Sequence, residues 1–120
     1  MKNQNLKIDL LQFTGTENYY RYQNLLLTDG VYYLAHEGEC FWLMDAIFSH
    51  LVTNSSLARQ EFIALNLKVQ NSKAKLVFED GNDGILASQN IPYTDFPLEK
   101  IKLFLVREAS QFVVMLPSEY

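Results

Sequence analysis

Several residues in this chain could do chemistry: His36, Cys40 and His50, the carboxylate of Asp45, and the acidic run Glu79-Asp80-Gly81-Asn82-Asp83-Gly84. His36, Cys40 and His50 are zinc-ligand types, but their spacing matches no common structural-zinc pattern. On one helix, Cys40 and His50 project about 80° apart. His36 and Cys40 have the i,i+4 spacing of a base and a nucleophile, yet Gly38 interrupts a helix between them. Cys40 also belongs to an apolar face, where a thiol stays protonated and inert. The acidic run invites a calcium reading, which needs oxygen ligands at positions one, three and five and Gly at six. Counted from Asp80, position five is Gly84 and position twelve is Ile91, so a hairpin turn is the better reading. There is no phosphate-binding glycine loop, dinucleotide fingerprint or nucleophile elbow. No metal and no cofactor is expected, and the chain leans away from being an enzyme.

Asp45, Ser49 and His50 remain, and the segment that carries them is the most informative in the chain. From Gly38 to Thr53, read at 3.6 residues per turn, Cys40, Phe41, Leu43, Met44, Ile47, Phe48, Leu51 and Val52 form one broad apolar face. Glu39, Trp42, Asp45, Ser49 and Thr53 fall opposite. Trp42 is the residue out of place. A large aromatic on a polar helix face is either covered by another part of the fold or offered to a partner. With Tyr19 and Tyr20 it marks the expected contact surface. The remaining tyrosines of the cluster, Tyr22, Tyr32 and Tyr33, are read mainly as packing.

The elements that must position these residues change character halfway. Leu6 to Phe13 reads as a short helix or an extended docking arm, broken by Thr14-Gly15-Thr16. Tyr19 to Leu27 reads as a strand, with a helix nearly as good. Thr28 or Asp29 should cap a helix that turns Val31, Leu34 and Ala35 to the core, and Gly38 should end it in the left-handed conformation. The main helix runs to about Val52, and Thr53 to Ser56 is a polar loop. From Glu61 the period becomes two: Ile63, Leu65, Leu67 and Val69 alternate with Phe62, Ala64, Asn66 and Lys68. Asn71-Ser72 turns the chain into a second strand to Glu79. Ile85 to Ile91 completes a meander. Pro92 to Pro97 connects to Leu98–Glu108, where helix and strand signals compete, and Phe112 to Leu116 is β-rich. A final hairpin is favoured. The expected fold is one α+β domain over residues 1–120, with N-terminal helices packed on a mainly antiparallel sheet. Ile63, Leu65, Leu67 and Val69 should meet Phe41, Met44, Ile47 and Phe48.

Charge narrows the partner classes. The formal net charge is −4, with four Lys/Arg against six Asp/Glu in residues 1–60 and six against eight in residues 61–120. A nucleic-acid binder normally carries a basic patch. Lys68, Lys73 and Lys75 come nearest and read as a solubilising strand face, so no nucleic-acid partner is expected. A balance of −4 is also too small to support DNA mimicry. No stretch approaches the roughly 18 apolar residues of a membrane span, and no signal peptide is visible. A cytoplasmic location is expected.

Four stretches, LLQFTGTENYYRY (10–22), LTDGVYYLAHEGECFWLMDAIFSH (27–50), YTDFPLEKIKLFLVRE (93–108) and VMLPSEY (114–120), resemble a family of small uncharacterised bacterial proteins from cyanobacterial, phage and plasmid contexts. The resemblance implies a mobile-element setting and no mechanism. Its relatives are shorter between 103 and 113, which implies a hairpin there. The expected function is a non-enzymatic protein-interaction or accessory module binding a protein partner through Trp42, Asp45, Ser49, His50, Tyr19 and Tyr20. A homodimer could form through a strand edge or the tyrosine-rich region. The alternative is a small-molecule binder or enzyme with an aromatic-lined pocket near Trp42, Asp45 and His50.

Overall fold

Alternating burial in the second half produces the sheet. In the computed structural model, which describes residues 5–82 and 84–120, β3 (Phe62–Gln70) turns Ile63, Leu65 and Leu67 inward. β4 (Lys73–Glu79) does the same with Ala74, Leu76 and Phe78. Asn71 and Ser72 join them with φ of 55° and 60°, the positive-φ pair of a tight hairpin turn. β5 (Ile85–Ile91) pairs antiparallel with β4. The segment with competing signals is a strand, β6 (Lys100–Glu108), and it forms a hairpin with β7 (Gln111–Met115). β6 lies antiparallel beside β3, so hairpin and meander are one sheet. Residues 1–4 of the expected 1–120 domain and Asp83 of the acidic run lie outside the described residues.

The N-terminal half differs most from its sequence reading between Tyr19 and Leu27. Tyr19 to Leu27 is not one strand but two, β1 (Tyr19–Tyr22) and β2 (Leu25–Thr28), reversed at Gln23, whose φ is 55°. No glycine marks that turn, so the sequence hides it. β2 then pairs parallel with β7 and completes the order β1-β2-β7-β6-β3-β4-β5. All other pairings are antiparallel.

The helices cover one face of this sheet. α1 (Leu6–Asp9) and a 3₁₀ turn (Leu10–Gln12) bury Leu6 and Leu10. α2 (Asp29–Glu37) is capped by Thr28, whose hydroxyl accepts from the Val31 amide at 3.3 Å, and buries Val31, Leu34 and Ala35. Gly38 ends α2 but with φ of −84°, not in the expected left-handed conformation, which passes to Glu39 at φ 50°. Glycine is needed at 38 for space: a Cβ there would lie 2.7 Å from the Leu34 carbonyl oxygen. α3 (Phe41–Thr53) buries Leu43, Met44 and Ile47, with Cys40 buried just ahead of it. Val52 lies off that face, 65% exposed. Asn54, within the expected loop, caps a further short helix, α4 (Ser55–Ala58), by accepting from the Leu57 amide at 3.0 Å. Ile63, Leu65 and Leu67 join Met44 and Ile47 in one core, with Phe41, Phe48 and Val69 packed at its margin. No helix among the described residues is long and apolar enough to cross a membrane.

Candidate functional site

α2 carries two stripes. Val31, Leu34 and Ala35 point into the core. Asp29, Tyr32, Tyr33 and His36, at i, i+3, i+4 and i+7, share another face. That face borders a cleft of about 730 Å³, closed on its other sides by the 12–17 loop and by Tyr20 of β1. Alternation along β1 turns Tyr20 to the helix side of the sheet, where its ring stacks on Tyr32 at 4.2 Å and 12°. Phe13 packs against Tyr33 at 5.3 Å, and the Tyr33 hydroxyl donates to Asp9 at 2.9 Å.

The rim of this cleft is acidic. Asp29 and Glu17 line it, and among the described residues no lysine or arginine does. The Glu17 amide donates to the Asp29 carboxylate at 2.9 Å, and this bond, helped by the Tyr20 hydroxyl and the Asn18 amide, holds Asp29 below its usual pKa against a smaller opposing effect of burial. Its partner responds in the opposite sense: the hydrogen bond to Asp29 holds Tyr20 above its usual pKa. The Asp29 amide in turn donates to the Thr16 hydroxyl at 2.8 Å, so the 14–18 loop is pinned to the start of α2 from both sides. Asp29 therefore has its hydrogen bonds committed to the loop, and what it offers a ligand is its charge.

A further carboxylate, outside the lining, locks the start of the helix that carries the cleft's rings. Glu119 accepts from the Thr28 hydroxyl at 2.6 Å, from the Gly30 amide at 3.0 Å and from the Leu116 amide at 3.0 Å. It lies at the N-terminus of α2, where free amides and the helix dipole favour an anion. Gly30 leaves room for this arrangement: a Cβ would lie 2.6 Å from the Leu116 side chain and 2.7 Å from the Glu119 carboxylate, so one of them would have to shift. Nearby, the Ser118 hydroxyl donates to the Phe13 carbonyl at 2.7 Å. Segments 10–22, 27–36 and 114–120 are thus gathered into one assembly.

The residues picked out in sequence are distributed differently. Trp42 is half-buried, its ring edge-on to Phe96 of the 92–97 connector at 6.3 Å and 82°. Asp45 accepts from the Tyr22 hydroxyl at 2.9 Å and the Gln23 side chain at 2.7 Å, bracing the β1–β2 turn. His50 is 2.8 Å from the Gln89 side chain on β5 and its ring lies 4.8 Å from Phe78. Ser49 is exposed, and its carbonyl accepts from the Thr53 hydroxyl at 2.8 Å. Trp42, Asp45 and His50 each engage a different part of the fold and Ser49 is exposed, so α3 does not bring them together as one site. Tyr20 lies in the cleft, whereas Tyr19, 57% exposed, faces the other side of the sheet. Cys40 donates to the Leu34 carbonyl at 3.4 Å within the core. In the 79–84 loop, Asp80 accepts from the amides of Asn82 at 2.8 Å and Gly84 at 3.0 Å, the work of a turn residue.

A family model matches residues 4–120, nearly the whole chain. The chain belongs to DUF6876, a family of unknown function. No curated protein and no solved structure matches it. In this DUF6876 chain the cleft and its Glu119 lock are built from three of the four stretches on which the resemblance rests. The sequence signal for the cleft was the second stripe of α2, with Asp29, Tyr32, Tyr33 and His36 at helical spacing opposite the core stripe.

Proposed function

We propose that this chain is a non-enzymatic binding module that receives a basic side chain of a protein partner in the α2–β1 cleft. The observation that carries this reading is the lining itself: rings of Phe13, Tyr20, Tyr32 and Tyr33 beside two carboxylates, with no lysine or arginine among the described residues. A guanidinium or ammonium group gains from ring faces and from nearby negative charge together. Trp42, Asp45, Ser49, His50 and Tyr19 would then act outside the primary contact, with Trp42 the strongest of them as a second one. The proposed setting is a bacterial cytoplasmic accessory protein of a mobile element, in keeping with the resemblance of its sequence. A small-molecule ligand is the second reading, supported by a cleft volume within the range of ligand pockets.

The test is a titration of isotope-labelled protein with an arginine- and lysine-containing peptide, followed by amide shifts. The expected result is perturbation at Phe13, Tyr20, Tyr32 and His36, lost in Tyr32→Ala while the fold stays intact. Shifts confined to α3 around Trp42, or equal binding of an acidic peptide, would remove the cleft from consideration.

A further inference from the structure

The other face of the sheet carries the opposite charge. Lys73 and Lys75 of β4, Lys68 of β3, and Lys100 and Lys102 of β6 all point away from the helices and are exposed. They are five of the ten Lys and Arg in a chain of net charge −4. The register sets Lys75 and Lys100 on either side of Lys68, three lysines abreast on neighbouring strands. Strands lie about 4.8 Å apart and same-face residues about 6.6 Å apart along a strand. Like charges directly opposite one another destabilise a sheet. Glu79 and Glu99 border the group, yet among the described residues none of these lysines is ion-paired. A trough of about 420 Å³ runs between Lys68, Lys75 and Lys102, with Asn66, Val77 and Glu79 completing its walls.

The same face continues into an aromatic platform. Phe104 stands two residues beyond Lys102 on β6, and with Phe62 and Tyr120 it forms a triangle of rings at 4.9, 5.6 and 5.5 Å. Tyr120 is 74% exposed. Unpaired ammonium groups at strand spacing suit a phosphate backbone, and ring faces alongside suit unstacked bases. An acidic peptide would use the lysines and leave the rings idle.

We propose that this uncovered sheet face binds single-stranded nucleic acid, lysines to phosphate and Tyr120 with Phe104 to bases. This does not depend on the cleft reading, and neither fails with the other.

The experiment is fluorescence anisotropy of the intact chain with labelled single-stranded oligo(dT) and oligo(U) at several salt concentrations. Binding should weaken with salt at a log–log slope of about −0.7 per phosphate contact, near −3.5 if all five lysines engage. The triple variant Lys68→Gln, Lys75→Gln, Lys102→Gln should bind at least tenfold more weakly with a shallower slope. Its melting temperature should be equal or higher, because two of the three substitutions relieve the Lys75–Lys68–Lys100 row. Tyr120→Ala should cost roughly tenfold for the single strand. No binding at low salt, an unaffected triple variant, a preference for duplex of the same sequence, or tighter binding to polyglutamate or anionic vesicles would each overturn the proposal.

Discussion

The two faces of the sheet are built by opposite means. On the helix side, carboxylates are held in place by named donors: Asp29 by the Glu17 amide and Glu119 by Thr28, Gly30 and Leu116. On the open side, the lysines are placed by strand register alone, with no partner among the described residues. The cleft is therefore preorganised and expensive to disturb. The open face is tolerant, since its side chains can change without unmaking a contact. Substitutions should separate the two faces by their cost to folding, and the steepest case lies beneath the helix layer.

Ile47 of α3 is fully buried among the residues that join the helices to the sheet. Ile47→Asp should abolish folding, because no partner there can compensate a buried charge. Soluble protein with an unchanged melting curve would show that α3 does not seal the covered face. At the lock of the cleft the expected loss is smaller. Gly30→Ala forces a methyl group against Leu116 and Glu119, and such overpacking costs about 1–3 kcal/mol. Chemical denaturation would measure it, and a loss below about 0.5 kcal/mol would mean that the Glu119 side chain simply swings away.

These contrasts explain what could be read from the amino-acid order. The period-two runs of β3 and β4 and the helical face of α3 are local patterns, so the α+β architecture was legible. The Gln23 reversal was not, because a positive φ there rests on no glycine, and its bracing by Asp45 comes from 22 residues away. Asp45 looked available for chemistry because its hydrogen bonds are tertiary. The lock is just as remote: Glu119 reaches residues 89 and 91 positions earlier. Nor can a strand pattern say that β6 lies beside β3, which is what turns three lysines of a hairpin into five. The even charge balance of the two halves averages over sequence, whereas the sheet sorts charge by face.

Acid should divide the two faces with the smallest perturbation. Asp29 has a lowered pKa in the folded chain, with the Glu17 amide as the main cause. A group of that kind adds stability above its unfolded pKa, and the contribution disappears as pH falls through the lower, folded value. The 14–18 loop should accordingly loosen below about pH 4, the ordinary carboxylate range. Amide exchange at Glu17 and Asn18 should accelerate there in the wild type. Asp29→Asn should exchange fast at every pH, because the neutral amide accepts these bonds more weakly. Tyr20 gives the alkaline counterpart. Its pKa is raised by the same bond, so its neutral form is favoured in the fold and stability declines above about pH 10 as the unfolded chain ionises first. Exchange at Glu17 that is flat across the acid range would mean that Asp29 does not hold the loop. The cleft would then be no more preorganised than the lysine face behind it.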